Sequence, residues 1–173
     1  VIKNIDPRFF KVATMDEPTE EERRKPFLYR YFVKIPAKGK LEFLDSGWMD
    51  EVVKDVLHDN IGEKEYKKKI ESVKRFERQL TDNGYLVMKF FFQISRKEQK
   101  KRIEVLKENK DTRWRVSGDE DWQNKHYDKC MHVFDRYLND TNSPADPWYI
   151  VDAKNRKWAE LQVLETLVSG IET

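Results

Sequence analysis

Cysteine occurs once in the 173 residues, at Cys130, so no disulfide can form within the chain. Stability must come from a packed core, and a chain of this length can bury roughly 70% of its unfolded surface. A single thiol also suits a reducing, cytoplasmic setting. Glycine is scarce, with six in all. No G-x-x-x-x-G-K-[ST] occurs anywhere, so the loop whose backbone N–H groups would cradle phosphates is missing from these residues. The only Gly-Lys pair, Gly39-Lys40, is followed by Leu41 and leads into a strand rather than out of one. Long apolar runs are absent: Tyr85 to Met88 is far too short to span a bilayer, and no signal peptide is visible. Excess charge is absent too. Lys+Arg (34) and Asp+Glu (32) leave a net charge of +2, which gives no reason to expect a nucleic-acid partner. There is no internal repeat and no low-complexity linker, and 13% aromatic residues argue against disorder. The length fits one domain and hardly two.

What is present alternates short β-branched or aromatic runs with long amphipathic stretches. Phe10 to Met15 reads as a strand, and Thr19-Glu20-Glu21-Glu22 as a capping box opening a helix. Pro26 sits early in that helix or divides it; the aromatic stretch continues to Phe32, and Ile35-Pro36 ends it. Leu41 to Leu44 reads as a second strand, and Trp48 to Leu57 as a helix broken at Ile61-Gly62. Tyr66, Ile70, Val73, Phe76 and Leu80 recur every three or four residues, so one helical face meets a core, and Asn83-Gly84 stops that helix as a left-handed cap. Tyr85 to Ile94 predicts a strand buried on both faces. Ser95 to Glu98 is a second capping box, and a further helix runs from Asp119 or Asp121 to about Leu138. Trp148 to Val151 is a fourth strand; Asn155 to Ile171 is a closing helix with Trp158, Leu161, Leu164 and Leu167 on its apolar side.

This β-α order predicts an α/β domain: a parallel sheet with helices on both faces. Ligands of such sheets lie beyond the carboxyl ends of the strands. The residues to read are therefore Met15-Asp16, Asp45-Ser46-Gly47, Gln93 to Arg96 and Asp152-Ala153. Asp45 stands where a carboxylate orients Mg²⁺ in a phosphate-handling enzyme, or where it caps the following helix. Residues 96–115 hold Arg96, Lys97, Lys100, Lys101, Arg102, Lys107, Lys110, Arg113 and Arg115 against fewer acids, with Trp114 among them. A lid closing on phosphates has this composition; so does a solvated helix face. The helical pattern breaks at Asp111 to Arg115, as a loop within a lid would. Arg30, among Tyr29, Tyr31 and Phe32, points to a phosphate or to a surface ion pair. His126 and Cys130 lie one turn apart, but a structural zinc site takes four ligands and there is no second pair. Packing is the better reading.

Longer stretches resemble a known family. Asp6-Pro7-Arg8-Phe9-Phe10, Pro18 to Glu22 with Pro26 to Phe32, Ile35 to Gly39, Gln99 with Arg102, Thr112 to Ser117, Asp121-Trp122 with Tyr127, and Pro147 to Ala153 are similar to motifs of the polyphosphate kinase 2 family. Tandem polyphosphate:AMP phosphotransferases are the nearest pattern. The resemblance implies a P-loop-kinase-like fold and one domain over residues 1–173, with a lid at about 96–118. It implies phosphate transfer between polyphosphate and AMP or ADP with Mg²⁺, Asp45 as the catalytic and metal-orienting acid, and Arg30, Arg102, Arg113 and Arg115 near phosphates. It leaves a homo-oligomer open. Two departures stand out. The family's Asp-Arg-Ser-Trp-Tyr is Asp45-Ser46-Gly47-Trp48-Met49 here, and an acid-Lys pair near the end is Asn155-Arg156. The chain begins with Val1, and Val1 to Ile5 reads as the tail of a helix. A first strand and P-loop would then stand upstream, and the chain would be a degenerate half of a tandem protein or a segment cut after its P-loop. The alternative function is a non-catalytic domain that binds polyphosphate or supports oligomerisation of an active half.

Overall fold

A threonine, a proline and a glycine set the first half of the architecture. In the computed structural model, which describes residues 5–15 and 17–172, Thr19 and Glu22 close the expected capping box. The Glu22 N–H donates to Thr19 Oγ1 (3.2 Å), and the Thr19 N–H donates to Glu22 Oε2 (2.9 Å). The helix they open is only α1, Glu20–Arg23. Pro26 has no N–H to continue the ladder and disfavours helix at the residue before it, so the aromatic stretch forms a separate turn, α2, Tyr29–Phe32. The expected helix tail before Ile5, and Asp16, lie outside the described residues.

Residues 1–85 form one compact unit and 86–173 another. In the first, β1 (Phe10–Ala13) pairs in parallel with β2 (Leu41–Leu44), with Phe10 opposite Leu41 and Ala13 opposite Leu44. Its core is built by α3 (Trp48–Leu57) and α4 (Glu63–Asp82): Val52, Val53, Leu57, Tyr66, Ile70, Val73 and Phe76 are all buried. Trp48 is the hub, edge-on to Tyr31 (5.7 Å) and to Phe76 (5.1 Å), with its indole N–H donated to buried Glu77 (2.8 Å). Gly84 ends α4 as expected. At φ +79° it turns the chain back, so that its own N–H meets Thr81 O (3.0 Å) and the Tyr85 N–H meets Leu80 O (3.1 Å).

In the second unit β3 (Lys89–Gln93) pairs in parallel with β4 (Trp148–Asp152). Alternation sends Phe91 and Trp148 towards α7 (Tyr127–Thr141), where they meet Phe134 and Tyr137. It sends Phe90 and Val151 the other way, to Ala159 and Val163 of α8 (Arg156–Glu172). Helices thus cover both faces of this pair, and the chain is α/β with parallel strands. Between these elements run α5 (Arg96–Glu108), a 3₁₀ turn at Arg113–Arg115, and α6 (Gly118–Lys125). No helix among the described residues is long and apolar enough to cross a membrane.

Three expectations change. The strand expected from Tyr85 starts at Lys89, because Tyr85 completes the α4 cap and Leu86 is exposed. The helix expected up to Leu138 is two helices that break at His126. His126 stands at the break with φ −106° and ψ 29°, and its ring Nδ1 lies 2.9 Å from Trp122 O, the same carbonyl that accepts the His126 N–H. On α8 the small residues Ala159 and Val163 face the strands, while Trp158, Leu161 and Leu164 are exposed.

Candidate functional site

The tip of β2 carries the candidate acid. Asp45 follows Leu44 directly and continues the strand's bonding, its N–H donating to Ala13 O (3.1 Å). It does not cap α3. Gly47 occupies the cap, and its N–H donates to Asp50 Oδ2 (3.1 Å). The Asp45 carboxylate is exposed, and no hydrogen bond or ion pair holds it among the described residues. Its acidic neighbour is Asp50, on which Lys54 also acts. Asp50 is exposed as a residue, but protein crowds its carboxyl. Burial pushes that carboxyl above its ordinary range, the Gly47 N–H pulls it down, and the Asp45 carboxylate adds to the rise. Burial likewise raises half-buried Glu51, against the pull of Lys69 and Arg30. The buried Tyr31 hydroxyl donates to Gly47 O (3.3 Å) and lies 3.5 Å from Glu51 Oε2. Burial, then the Glu51 charge, holds that phenol far above its usual range, so it remains a donor.

Arg30 belongs to this unit. It is buried, with Nε 3.8 Å from Glu22 Oε1 and its guanidinium 5.9 Å from the centre of the Tyr31 ring. The capping box therefore serves twice, since the same Glu22 that closes α1 also faces Arg30.

The other candidates lie in the second unit. Ser95 caps α5 as expected, accepting the Glu98 N–H (3.3 Å). The reciprocal half of the box is replaced: Glu98 turns forward and accepts from Arg102 Nε (2.9 Å). Arg102 Nη2 also donates to Ala153 O (2.8 Å) and Lys154 O (3.0 Å), which ties α5 to the carboxyl end of β4. Arg113 and Arg115 differ from it. They stand on the 3₁₀ turn, exposed, with no ion pair among the described residues. The turn itself is braced. Thr112 Oγ1 donates to Leu106 O (3.0 Å), the Asp111 N–H donates to Asn109 Oδ1 (2.9 Å), and the Trp114 indole N–H donates to Asp111 O (2.8 Å). Ser117 and Glu120 form a capping box that begins α6, a signal the sequence carried two residues before the expected Asp119 start.

The carboxylate fits one metal chemistry. Among the described residues no group of three or more His, Cys, Asp or Glu could hold an ion by itself. Mg²⁺ does not need such a group, since it uses one or two carboxylates with waters and phosphate oxygens. An open Asp45 suits that donor set. Cys130 is buried, and burial raises its thiol, which makes it a poor nucleophile.

The polyphosphate kinase 2 profile matches residues 1–173. The chain belongs to the polyphosphate kinase 2 family. It is 30% identical over 168 residues to a polyphosphate:AMP phosphotransferase of Pseudomonas syringae pv. tomato, covering 97% of this chain and 34% of that protein. It is 26% identical over 174 residues to an AMP/ADP-polyphosphate phosphotransferase of Meiothermus ruber, covering 99% of this chain and 65% of that one. The crystal structure of polyphosphate kinase 2 from Arthrobacter aurescens superposes with a TM-score of 0.92 at 24% identity, over 96% of this chain and 59% of that one, which shows the same fold. The chain therefore spans about a third to two thirds of the length of these relatives.

Proposed function

We propose that this polyphosphate kinase 2 domain serves phosphate transfer between polyphosphate and AMP or a related nucleotide. One observation carries the reading: Arg113 and Arg115 stand open on a braced turn, with no ion pair to neutralise them among the described residues. Forked guanidinium groups suit phosphate oxygens, and catalysis of this transfer is mostly positioning and neutralisation of charge. The names of the relatives support the same substrates. In the forward direction the bond between the terminal phosphorus of polyphosphate and its bridging oxygen breaks, and a phosphate oxygen of AMP bonds to that phosphorus. The products are ADP and a polyphosphate one unit shorter. Asp45 is the residue that would hold Mg²⁺, and the ion would neutralise phosphate oxygens.

The second reading, a polyphosphate-binding or oligomerisation domain without catalysis, is favoured by two features. Ser46-Gly47 stand where the family pattern has an arginine, and no Gly-Lys phosphate loop occurs in these residues. Loss of one positioned donor alone costs about 10²–10³ in rate. The two readings separate in one assay, in which the chain is incubated with polyphosphate, AMP and Mg²⁺ and ADP is measured. ADP that disappears in Asp45→Asn supports transfer through Asp45. Polyphosphate binding without ADP would sink the enzyme reading and leave the binding domain.

A further inference from the structure

We propose that Trp114 is a stacking platform for the base of a nucleotide whose phosphates meet Arg113 or Arg115; this rests on the phosphate-binding reading of the same turn. Trp114 is 78% exposed, the highest value among the large hydrophobic residues. The other tryptophans with described ring contacts in this unit are engaged. Trp122 stacks on His126 at 4.4 Å, and Trp148 donates to Thr141 Oγ1 (3.0 Å) and meets Tyr137 edge-on. Trp114 has no ring partner, and no Lys or Arg among the described residues lies over its face. Its position is nevertheless fixed. The indole N–H is committed to Asp111 O (2.8 Å), and the segment is held by Thr112 to Leu106 and by Asp111 to Asn109. A fixed aromatic ring with free faces loses little entropy when a planar group lands on it.

The flanking charges narrow the ligand. Arg113 and Arg115 call for an anion, and inorganic polyphosphate alone would satisfy them. Polyphosphate has no planar surface and gives the indole nothing. A ligand that uses all three neighbours is planar at one end and polyanionic at the other. Stacking of a base on an aromatic side chain contributes about 1–3 kcal/mol by alanine substitution, and it is tolerant of which base is present. The platform therefore accepts nucleotides as a class without choosing among them.

The test measures equilibrium binding of three probes to the full chain: AMP, ribose 5-phosphate and inorganic polyphosphate. For the unaltered chain AMP should bind more tightly than ribose 5-phosphate. Trp114→Ala removes the stacking face together with the indole bond to Asp111 O, so it should weaken AMP about tenfold or more and ribose 5-phosphate or polyphosphate much less. Trp114→Phe keeps a stacking face and should restore most of the AMP affinity. If Trp114→Ala binds AMP as the unaltered chain does, the indole is a bystander and the proposal falls. If it weakens polyphosphate as much as AMP, the indole acts only through its bond to Asp111 O and not by stacking, and the proposal also falls. Polyphosphate binding without AMP binding in the unaltered chain would overturn the platform alone. Binding of neither would overturn the functional reading with it.

Discussion

The tip of β2 and the 113–115 turn are both charged, but they hold their charge in opposite ways. At the β2 tip the protein sets partners against most of its own charges: Gly47 N–H for Asp50, Glu22 for Arg30, and Tyr31, Lys69 and Arg30 for Glu51, where burial still outweighs them. Among these described residues Asp45 is left open. At the turn the backbone is braced by three side chains, while Arg113 and Arg115 are left to the solvent. A charge with internal partners contributes to the fold and has little left for a ligand; a charge held out on a rigid frame does the reverse. The distinction divides the basic residues of the 96–115 stretch itself. Arg102, which bonds Glu98, Ala153 and Lys154, belongs with the first kind.

Lys89 should give the largest effect on stability. It is 6% exposed, with Nζ 2.9 Å from Thr141 O and 3.2 Å from Asp146 Oδ2, and it lies over the Trp148 ring. Lys89→Met leaves the buried Asp146 without its ammonium, and loss of one partner of a buried pair costs about 3–5 kcal/mol. Urea unfolding should show that fall; a loss under about 1 kcal/mol would mean that Asp146 finds other compensation. The next effect is on binding. Arg113→Ala with Arg115→Ala should leave the unfolding midpoint where it is and weaken polyphosphate more than tenfold, since hydrogen bonds to charged groups contribute about 1.5–3 kcal/mol each. Arg102→Ala should do the opposite, with a loss of about 1 kcal/mol in stability and a smaller change in binding. If the two variants behave alike, this division of the cations is wrong.

Much of this was legible in the sequence because it was local. The capping box at Thr19, the glycine stop at Gly84 and the helical spacing from Tyr66 to Phe76 are each satisfied by residues within a turn or two. What was not legible depended on distant partners. Two apolar stripes run along α8, and periodicity cannot choose between them. Close approach to Phe90 and Val151 favours the stripe with the small residues Ala159 and Val163, not the one with Trp158 and Leu161. Lys89 interrupts an apolar run, and Thr141 and Asp146, each more than fifty positions away, explain its burial. The site divides the same way. Asp45 was visible as an acid at a strand end, but whether it caps α3 depended on Gly47 and Asp50. The basic count over residues 96–115 pooled Arg102 with Arg113 and Arg115, because sequence does not show that carbonyls of residues 153 and 154 already occupy one of them.

The smallest effect should come from Glu51, where the comparison can be tested by pH. Burial raises this carboxyl, so its value in the folded chain lies above the ordinary 4.5 of the unfolded one. Between those two values the folded state binds more protons, so stability falls as pH rises through that window and is level above it. Above that window Glu51 costs the fold a little. Glu51→Gln keeps an oxygen near the Tyr31 hydroxyl (3.5 Å to Oε2 in the native chain) and removes the charge. It should raise the unfolding midpoint slightly at pH 7 and leave it nearly unchanged below about pH 4, where the native carboxyl is protonated in both states. The subtraction of two thermal melts at these pH values reads the effect directly. A Glu51→Gln chain that is less stable at pH 7 would mean that Lys69 and Arg30 outweigh burial, and that the β2 tip is neutralised by its cations rather than strained by its acids.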